Sequence, residues 1–302
     1  MTGRAPAPGS VGALLDDATR RLAADGVEEA RADARILLAH AMGRTGGRLY
    51  GEEDGAVTDI EAARFDRLVA RRQLREPVSR IIGRRGFRDL DLEIGPATLD
   101  PRPDTETLVR AAAAAYPDRD RRLRVLDLGT GSGALLLALL QLYPRAVGTG
   151  VDLCGDCLVL AARNAERHGL AHRAAFREGS WCRGVSTRFD IILCNPPYVP
   201  SGTIDTLEPE VARFEPRRAL DGGDDGLECY RELLPGLAGS MAPGATVFLE
   251  IGHDQRDRVQ ALAVAAGLAP VGVWRDLAGR ERCLVLRSVL TRTAGPPGEL
   301  KP

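Results

Sequence analysis

Apolar residues recur at helical spacing through the first quarter of the chain. Leu14, Leu15, Ala18, Leu22 and Ala23 form one stripe, which predicts a helix starting near Val11, capped by Ser10 and stopped by Gly26. Ala30, Ala34, Leu37, Leu38 and Ala41 predict a second helix over 28–42, and Ile60, Ala63, Phe65, Leu68 and Val69 a third over 58–74. The texture changes at Glu76, where the runs 77–83 and 90–95 read as short strands of a hairpin. Pro101 and Pro103 hold the next piece extended, and a helix begins near Asp104, carrying Leu108, Val109 and the alanines of 111–115.

From Leu123 onward, short apolar runs alternate with helical stripes. Strands are expected at 125–128, 146–151, 174–177, 189–194, 245–251, 271–274 and 282–286, with helices over 134–142, 157–168, 226–241 and 254–266 and a turn at Pro243-Gly244. This alternation predicts an α/β fold around a mostly parallel sheet covered on both faces. The expected divisions are a disordered start over 1–9, a helical domain over 10–75, a β-hairpin linker over 76–100, an α/β domain over 101–290 and a loose tail over 291–302.

Composition narrows the class only a little. Hydrophobic residues make up 44% and charged residues 27% of the 302, as in ordinary globular proteins. A net charge of -1 leaves no strongly basic footprint for bare nucleic acid. Nothing resembles a run of about 18 apolar residues, so no membrane span is expected. The first ten residues lack the apolar core of a signal peptide, and six irregularly spaced cysteines do not suggest a disulfide framework, so a reducing cytoplasm is the default.

The chemistry concentrates at three strand ends. Gly129-Thr130-Gly131-Ser132-Gly133 follows the first strand of the α/β domain and opens a helix, which brings backbone N–H groups and a helix N-terminus to a ligand. With Ala134 it also satisfies the loose dinucleotide pattern. Asp152 closes the second strand, where an acid takes both hydroxyls of a ribose, so a nucleoside-containing cofactor is expected. The fourth strand ends in Asn195-Pro196-Pro197-Tyr198. Neither proline can donate to a sheet ladder, the asparagine offers an amide, and the tyrosine offers a flat ring, a combination suited to a planar nitrogen-bearing group. Cys154 and Cys157 have C-x-x-C spacing, but no second pair follows and no metal site is expected. Arg71, Arg72 and Arg75 read as a solvated helix face, with an acidic partner the less favoured alternative.

The glycine turn, Asp152 and the Asn-Pro-Pro-Tyr stretch together resemble the class I S-adenosylmethionine-dependent methyltransferases that act on planar nitrogens. The likeness extends to Glu76-Pro77 through Gly83, to 101–106, to 219–227, to Glu250-Ile251-Gly252 with Gln255, and to the helical N-terminal region. In that order these resemble the protein-glutamine methyltransferases of the HemK/PrmC family. The resemblance implies a Rossmann-like, mostly parallel seven-stranded sheet with a small all-α N-terminal domain that helps recognise a protein. It implies methyl transfer from S-adenosyl-L-methionine to the side-chain amide of the Gly-Gly-Gln glutamine of peptide-chain release factors. Gly129, Thr130, Gly131, Ser132, Gly133, Asp152, Trp181 and Asn195 would then contact the cofactor, with Trp181 lining the adenine pocket. Asn195, Pro196, Pro197 and Tyr198 would hold the substrate glutamine, Tyr198 packing against the amide plane, with no direct nucleic-acid or membrane partner.

Two positions depart from the family pattern: Arg85-Gly86-Phe87-Arg88 replaces Arg-Glu-Phe-Trp, and Asp100 stands where relatives are commonly apolar. Alternatives with the same chemistry are a ribosomal-protein glutamine or adenine N6 of RNA or DNA. A non-catalytic nucleoside-binding module and an NAD-dependent oxidoreductase are the rivals from other classes.

Overall fold

The structure is a computed structural model that describes residues 9–44, 49 and 51–289. The expected disordered start (apart from Gly9) and the tail over 291–302 lie outside the described residues. The chain divides into two compact units, one comprising residues up to Gly83 together with 208–214, the other residues 84–207 and those from Glu215 onward.

The first unit is helical. α1 (Val11–Ala24), α2 (Ala30–Ala41) and α3 (Asp59–Gln73) form where the stripes predicted. The Ser10 hydroxyl caps α1 by accepting from the Ala13 amide, and Thr58 with Glu61 forms a reciprocal capping box on α3. Val11, Leu15, Leu22, Leu37, Leu38 and Val69 are fully buried between them. The run expected as a strand over 77–83 is instead α4 (Val78–Ile82). Val78, Ile81 and Ile82 lie at i, i+3 and i+4, the period of a helix face, and they pack against the helical core. Pro77 presets the first turn, and Gly83, at φ 71°, ends it.

Of the three arginines at the end of α3 and just beyond it that read as a solvated face, only Arg71 is exposed. Arg72 is buried, donating to Asp33 at 2.8 Å and to Glu210 at 2.8 Å, while Arg75 grips Glu210 with two further bonds. Arg71 pairs with Glu76. Glu210 sits on α8 (Pro209–Phe214), the second segment of this unit, and 138 residues separate it from Arg72. Burial alone would raise its pKa, but the bonds from Arg75 and Arg72 outweigh it and hold the carboxyl down at about 2.

The second unit opens with an antiparallel hairpin of β1 (Arg84–Phe87) and β2 (Leu90–Glu93), so the hairpin pairs later residues than expected. A 3-10 turn (Pro103–Thr105) leads into α5 (Glu106–Ala115). Then follow β3 (Arg124–Leu128), α6 (Ala134–Leu142), β4 (Val147–Asp152), α7 (Gly155–Arg167), β5 (Ala174–Glu178) and β6 (Phe189–Cys194). The chain closes with α9 (Glu228–Ser240), β7 (Met241–Glu250), α10 (Arg256–Ala265), β8 (Leu268–Arg275) and β9 (Glu281–Ser288). Two 3-10 turns, Ser201–Thr206 and Arg217–Ala219, flank α8 in a stretch where no elements were expected. The Pro243-Gly244 turn is an irregularity inside β7, where pairing with β6 jumps from Met241 to Thr246.

The seven strands run in the order β5-β4-β3-β6-β7-β9-β8, with the first five parallel and β9 antiparallel to both neighbours. This is the class I Rossmann-like methyltransferase arrangement. Alternate residues of each central strand feed opposite layers. Val125, Ile191 and Leu193 pack with α5 and α6, while Leu126, Ile192 and Cys194 pack with α9. That two-sided burial is why these strands read as continuous apolar runs. The parallel strands also carry β3, β4 and β6 to one common carboxyl edge, where ligands of such sheets bind.

Candidate active site

At that edge, the turn after β3 winds back with positive φ at Gly129, Gly131 and Gly133 (70°, 54° and 84°), a path that side-chain-bearing residues resist. The amides of Gly129 and Thr130 donate to the Val151 carbonyl at 2.8 and 3.0 Å, which ties the turn to the end of β4. Asp127 lies beneath it, fully buried. Its Oδ2 accepts from the Thr130 hydroxyl at 2.7 Å, and its Oδ1 has no hydrogen-bond partner. Burial pushes this carboxyl up to about 7, against the pull of the Thr130 bond.

Asp152 is aimed by the backbone. Its Oδ2 accepts from the Gly131 amide at 2.8 Å and its Oδ1 from the Cys154 amide at 2.9 Å. Each oxygen keeps a further lone pair for a hydroxyl donor. Cys154 is the N-cap of α7, accepting at its sulfur from the Cys157 amide and from Arg218. Trp181 adopts φ 51°, and its indole N–H donates to Glu232 on α9 at 3.0 Å. The ring lies beside the turn, with Cζ3 at 4.0 Å from the place a Cβ on Gly129 would take.

The Asn195–Tyr198 turn approaches the glycine turn from β6. The Asn195 carbonyl lies 3.9 Å from that same Cβ position on Gly129. The turn is clamped from behind. Val199 donates to Leu220, and Gly222 donates back to Val199. The Gln255 side-chain amide donates to the Tyr198 carbonyl at 2.9 Å. Gly226, at φ 73°, packs so closely that a Cβ would stand 2.5 Å from the Tyr198 oxygen. The glycines of the 221–226 segment and Gln255 therefore make room for this turn and hold it.

Behind the turn lies a polar cluster. Tyr198 donates its phenol to Glu250 at 3.2 Å, and Asn195 donates its side-chain N–H to the Thr105 hydroxyl at 3.2 Å. Arg282 is buried, between Asp104 at 3.2 Å and Asp276 at 3.4 Å, and donates to the Ile251 carbonyl. Glu250 is 1% exposed, and burial pushes its carboxyl up to about 7. Burial also pushes the Tyr198 phenol up.

A cavity of about 260 Å³ joins these parts. It is lined by Gly129, Thr130, Gly131, Ser132, Asp152, Trp181, Asn195 and Pro197, whereas Gly133, Pro196 and Tyr198 stand outside its lining. Thr105, Pro101, Arg102, Arg218 and Glu232 line it as well. Asp127 and Glu250 were not singled out from the sequence as site residues, and Thr105 only as part of the 99–106 stretch, which reads as a wall of a binding site and does line the cavity. Their signal was present only as an acid or hydroxyl in or next to a motif already marked. Asp100 is 3% exposed with its carboxylate 3.5 Å from Arg85, so that departure has a charged partner within the same unit. The residues fit S-adenosylmethionine. Asp152 matches a ribose diol, Trp181 a flat base, and Glu232 on the same lining an acid for a cationic ligand.

Residues 13–83 match the family described as the PrmC N-terminal domain, and residues 104–208 match the methyltransferase small domain. The release factor glutamine methyltransferase of Rhodospirillum rubrum is 48% identical over 95% of this chain and 86% of its own. That of Caulobacter vibrioides is 41% identical over 88% of this chain and 92% of its own. Among solved structures, a methyltransferase from Pyrococcus furiosus matches 67% of this chain and 90% of its own, with 18% identity and a TM-score of 0.48.

Proposed function

This chain belongs to the release factor glutamine methyltransferase family, and we propose that its substrate is the glutamine of the Gly-Gly-Gln motif in peptide-chain release factors. The enzyme transfers a methyl group from S-adenosyl-L-methionine to the side-chain amide nitrogen of that glutamine. The observation that supports the reading best is that the Asn195 turn and the glycine turn line one cavity, which brings an amide side chain beside a cofactor-binding turn.

When bound, S-adenosylmethionine supplies an electrophilic methyl on a sulfonium. Gly129 to Gly133 and Asp152 would hold its amino-acid and ribose parts, and Trp181 its base. Asn195 Oδ1 and the Pro196 carbonyl each accept one N–H of the substrate amide, which fixes the amide plane and turns the nitrogen's face to the cofactor. Tyr198, tied to Glu250, keeps the turn from shifting under the substrate. Holding both reactants in line can supply several kcal/mol, up to roughly 7–11 in favourable systems. An amide protonated on nitrogen is strongly acidic and sheds its proton to water, so the four histidines at 40, 168, 172 and 253 are not required.

The partner is a protein. A net charge of -1 offers nucleic acid no broad basic surface, and no helix among the described residues is long and apolar enough to cross a membrane. We place the enzyme in the cytoplasm with the translation machinery. The test is transfer of radiolabelled methyl to purified release factor, with the Gly-Gly-Gln glutamine intact or replaced. Labelling is expected only on the intact factor, and labelling that survives the replacement refutes the target. Asn195→Ala should abolish turnover while leaving cofactor affinity largely unchanged, and normal methylation by that variant would sink the assignment.

A further inference from the structure

We propose that Thr105 and Glu250 are positioning residues that orient the Asn195 amide through a hydrogen-bond chain, Asn195 to Thr105 to Glu250. This rests on the reading that Asn195 holds the substrate glutamine. A primary amide is nearly symmetric in shape, and its terminal torsion is broad, so its neighbours decide which end faces the cavity. The two orientations are chemically opposite. With Oδ1 toward the cavity, Asn195 accepts an N–H of the glutamine amide; with Nδ2 there, donor would face donor.

The structure has Nδ2 donating to the Thr105 Oγ1 at 3.2 Å, which leaves Oδ1 for the substrate. A threonine hydroxyl that accepts still has one proton to place. Thr105 is 5% exposed, so water does not readily take that proton. Glu250 is the acceptor left open: its Oε1 accepts from Tyr198, and its Oε2 is buried without a hydrogen-bond partner. The Thr105 hydroxyl is among the groups that favour its ionised form. A buried carboxylate oxygen left unpaired costs free energy, so the hydroxyl proton is drawn to it. A carboxylate accepts only, which makes the chain one-directional. Thr105 must donate to Glu250 and can then only accept from Asn195.

Protonation of Glu250 removes this direction, because the neutral acid donates as well as accepts. The groups facing it are Asp104 and Thr105 before α5, Cys194 on β6, Tyr198 after β6, Tyr230 on α9, and Arg282 and Cys283 on β9. Burial sets its ionisation at about 7, with Thr105, Arg282 and Tyr198 favouring the charged form and Asp104 opposing it. The oriented fraction therefore rises with pH through about 7.

The experiment compares wild type, Thr105→Val, Thr105→Ser and Glu250→Gln. It follows single-turnover methyl transfer to release factor at saturating S-adenosylmethionine, with calorimetric titration of the cofactor and thermal unfolding alongside. Thr105→Val should slow transfer about tenfold to a hundredfold at near-unchanged cofactor affinity, and Thr105→Ser should recover to within about threefold of wild type. Glu250→Gln should flatten the wild-type rise in rate between about pH 6 and pH 8. The proposal is overturned if Thr105→Val transfers as fast as wild type, if Thr105→Ser is as slow as Thr105→Val, if the loss is matched by lost cofactor affinity, or if Glu250→Gln keeps the pH rise. Wild type that fails to label release factor removes the reading of the site along with the proposal. Labelling by wild type and Thr105→Val alike removes the proposal alone.

Discussion

Replacing Asp152 with asparagine changes one oxygen into an NH2 group and leaves size and shape almost intact. In the wild type both carboxylate oxygens are in use, Oδ2 by the Gly131 amide at 2.8 Å and Oδ1 by the Cys154 amide at 2.9 Å. Whichever way the substituted side chain turns, its NH2 meets one of these backbone N–H groups, and a charge-assisted bond becomes a donor–donor contact. Those backbone bonds are made with and without the cofactor, so their loss is read in unfolding, whereas binding loses a charged acceptor for a ribose hydroxyl, worth about 1.5–3 kcal/mol. That loss corresponds to a rise in Kd for S-adenosylmethionine of roughly 10-fold to 150-fold. Asp152 is only half-buried, so solvent screening favours the lower end. Calorimetric titration of purified Asp152→Asn with the cofactor measures this directly. Thermal unfolding without cofactor shows whether the sheet edge survives. A Kd within about threefold of wild type would refute the idea that this carboxylate is the ribose anchor.

Two further outcomes follow from the geometry. Gly226→Ala puts a Cβ 2.5 Å from the Tyr198 carbonyl at a φ of 73°, so denaturant unfolding should show a loss of about 2–3 kcal/mol, with methyl transfer impaired more than cofactor binding. Glu210 has its folded pKa depressed to about 2, so its contribution is fully present above the unfolded value near 4.5 and is lost as pH falls from there toward 2. With partial exposure discounted, that contribution is about 1–2 kcal/mol, and acid-unfolding curves of Glu210→Gln should lack it.

The parts legible in the sequence were those written locally. The strand–turn–helix at 125–142, the acid closing β4 and the proline stop after β6 each lie within a few residues, and the structure has them as elements at the expected places. The run 77–83 was not decidable that way, because so short a run with Val78, Ile81 and Ile82 apolar fits a helix face or a strand, and its packing against α2 and α3 made the choice. Arg72 looked solvated for a related reason: its partner Glu210 is 138 residues away. Glu250 and Thr105 were equally hidden. Each lies within a stretch already marked, 101–106 and Glu250-Ile251-Gly252, but only the sheet's closure brings their side chains behind Asn195 and Tyr198.

The span of that cluster has a consequence for how the enzyme comes into being. Asn195 meets a partner 90 residues before it, and Tyr198 meets partners 52 and 84 residues after it. The glycine turn and Asp152, by contrast, are only about twenty residues apart, at the ends of neighbouring strands. During synthesis the glycine turn and Asp152 can therefore meet before β7 and β9 leave the ribosome, whereas the bonds that hold Tyr198 wait for both. The glycine turn and its acid thus form one early, local piece of the site, and the Tyr198 cluster a late, long-range one. Release factors terminate translation, and this enzyme would gain the ability to modify them only as its own translation nears its end.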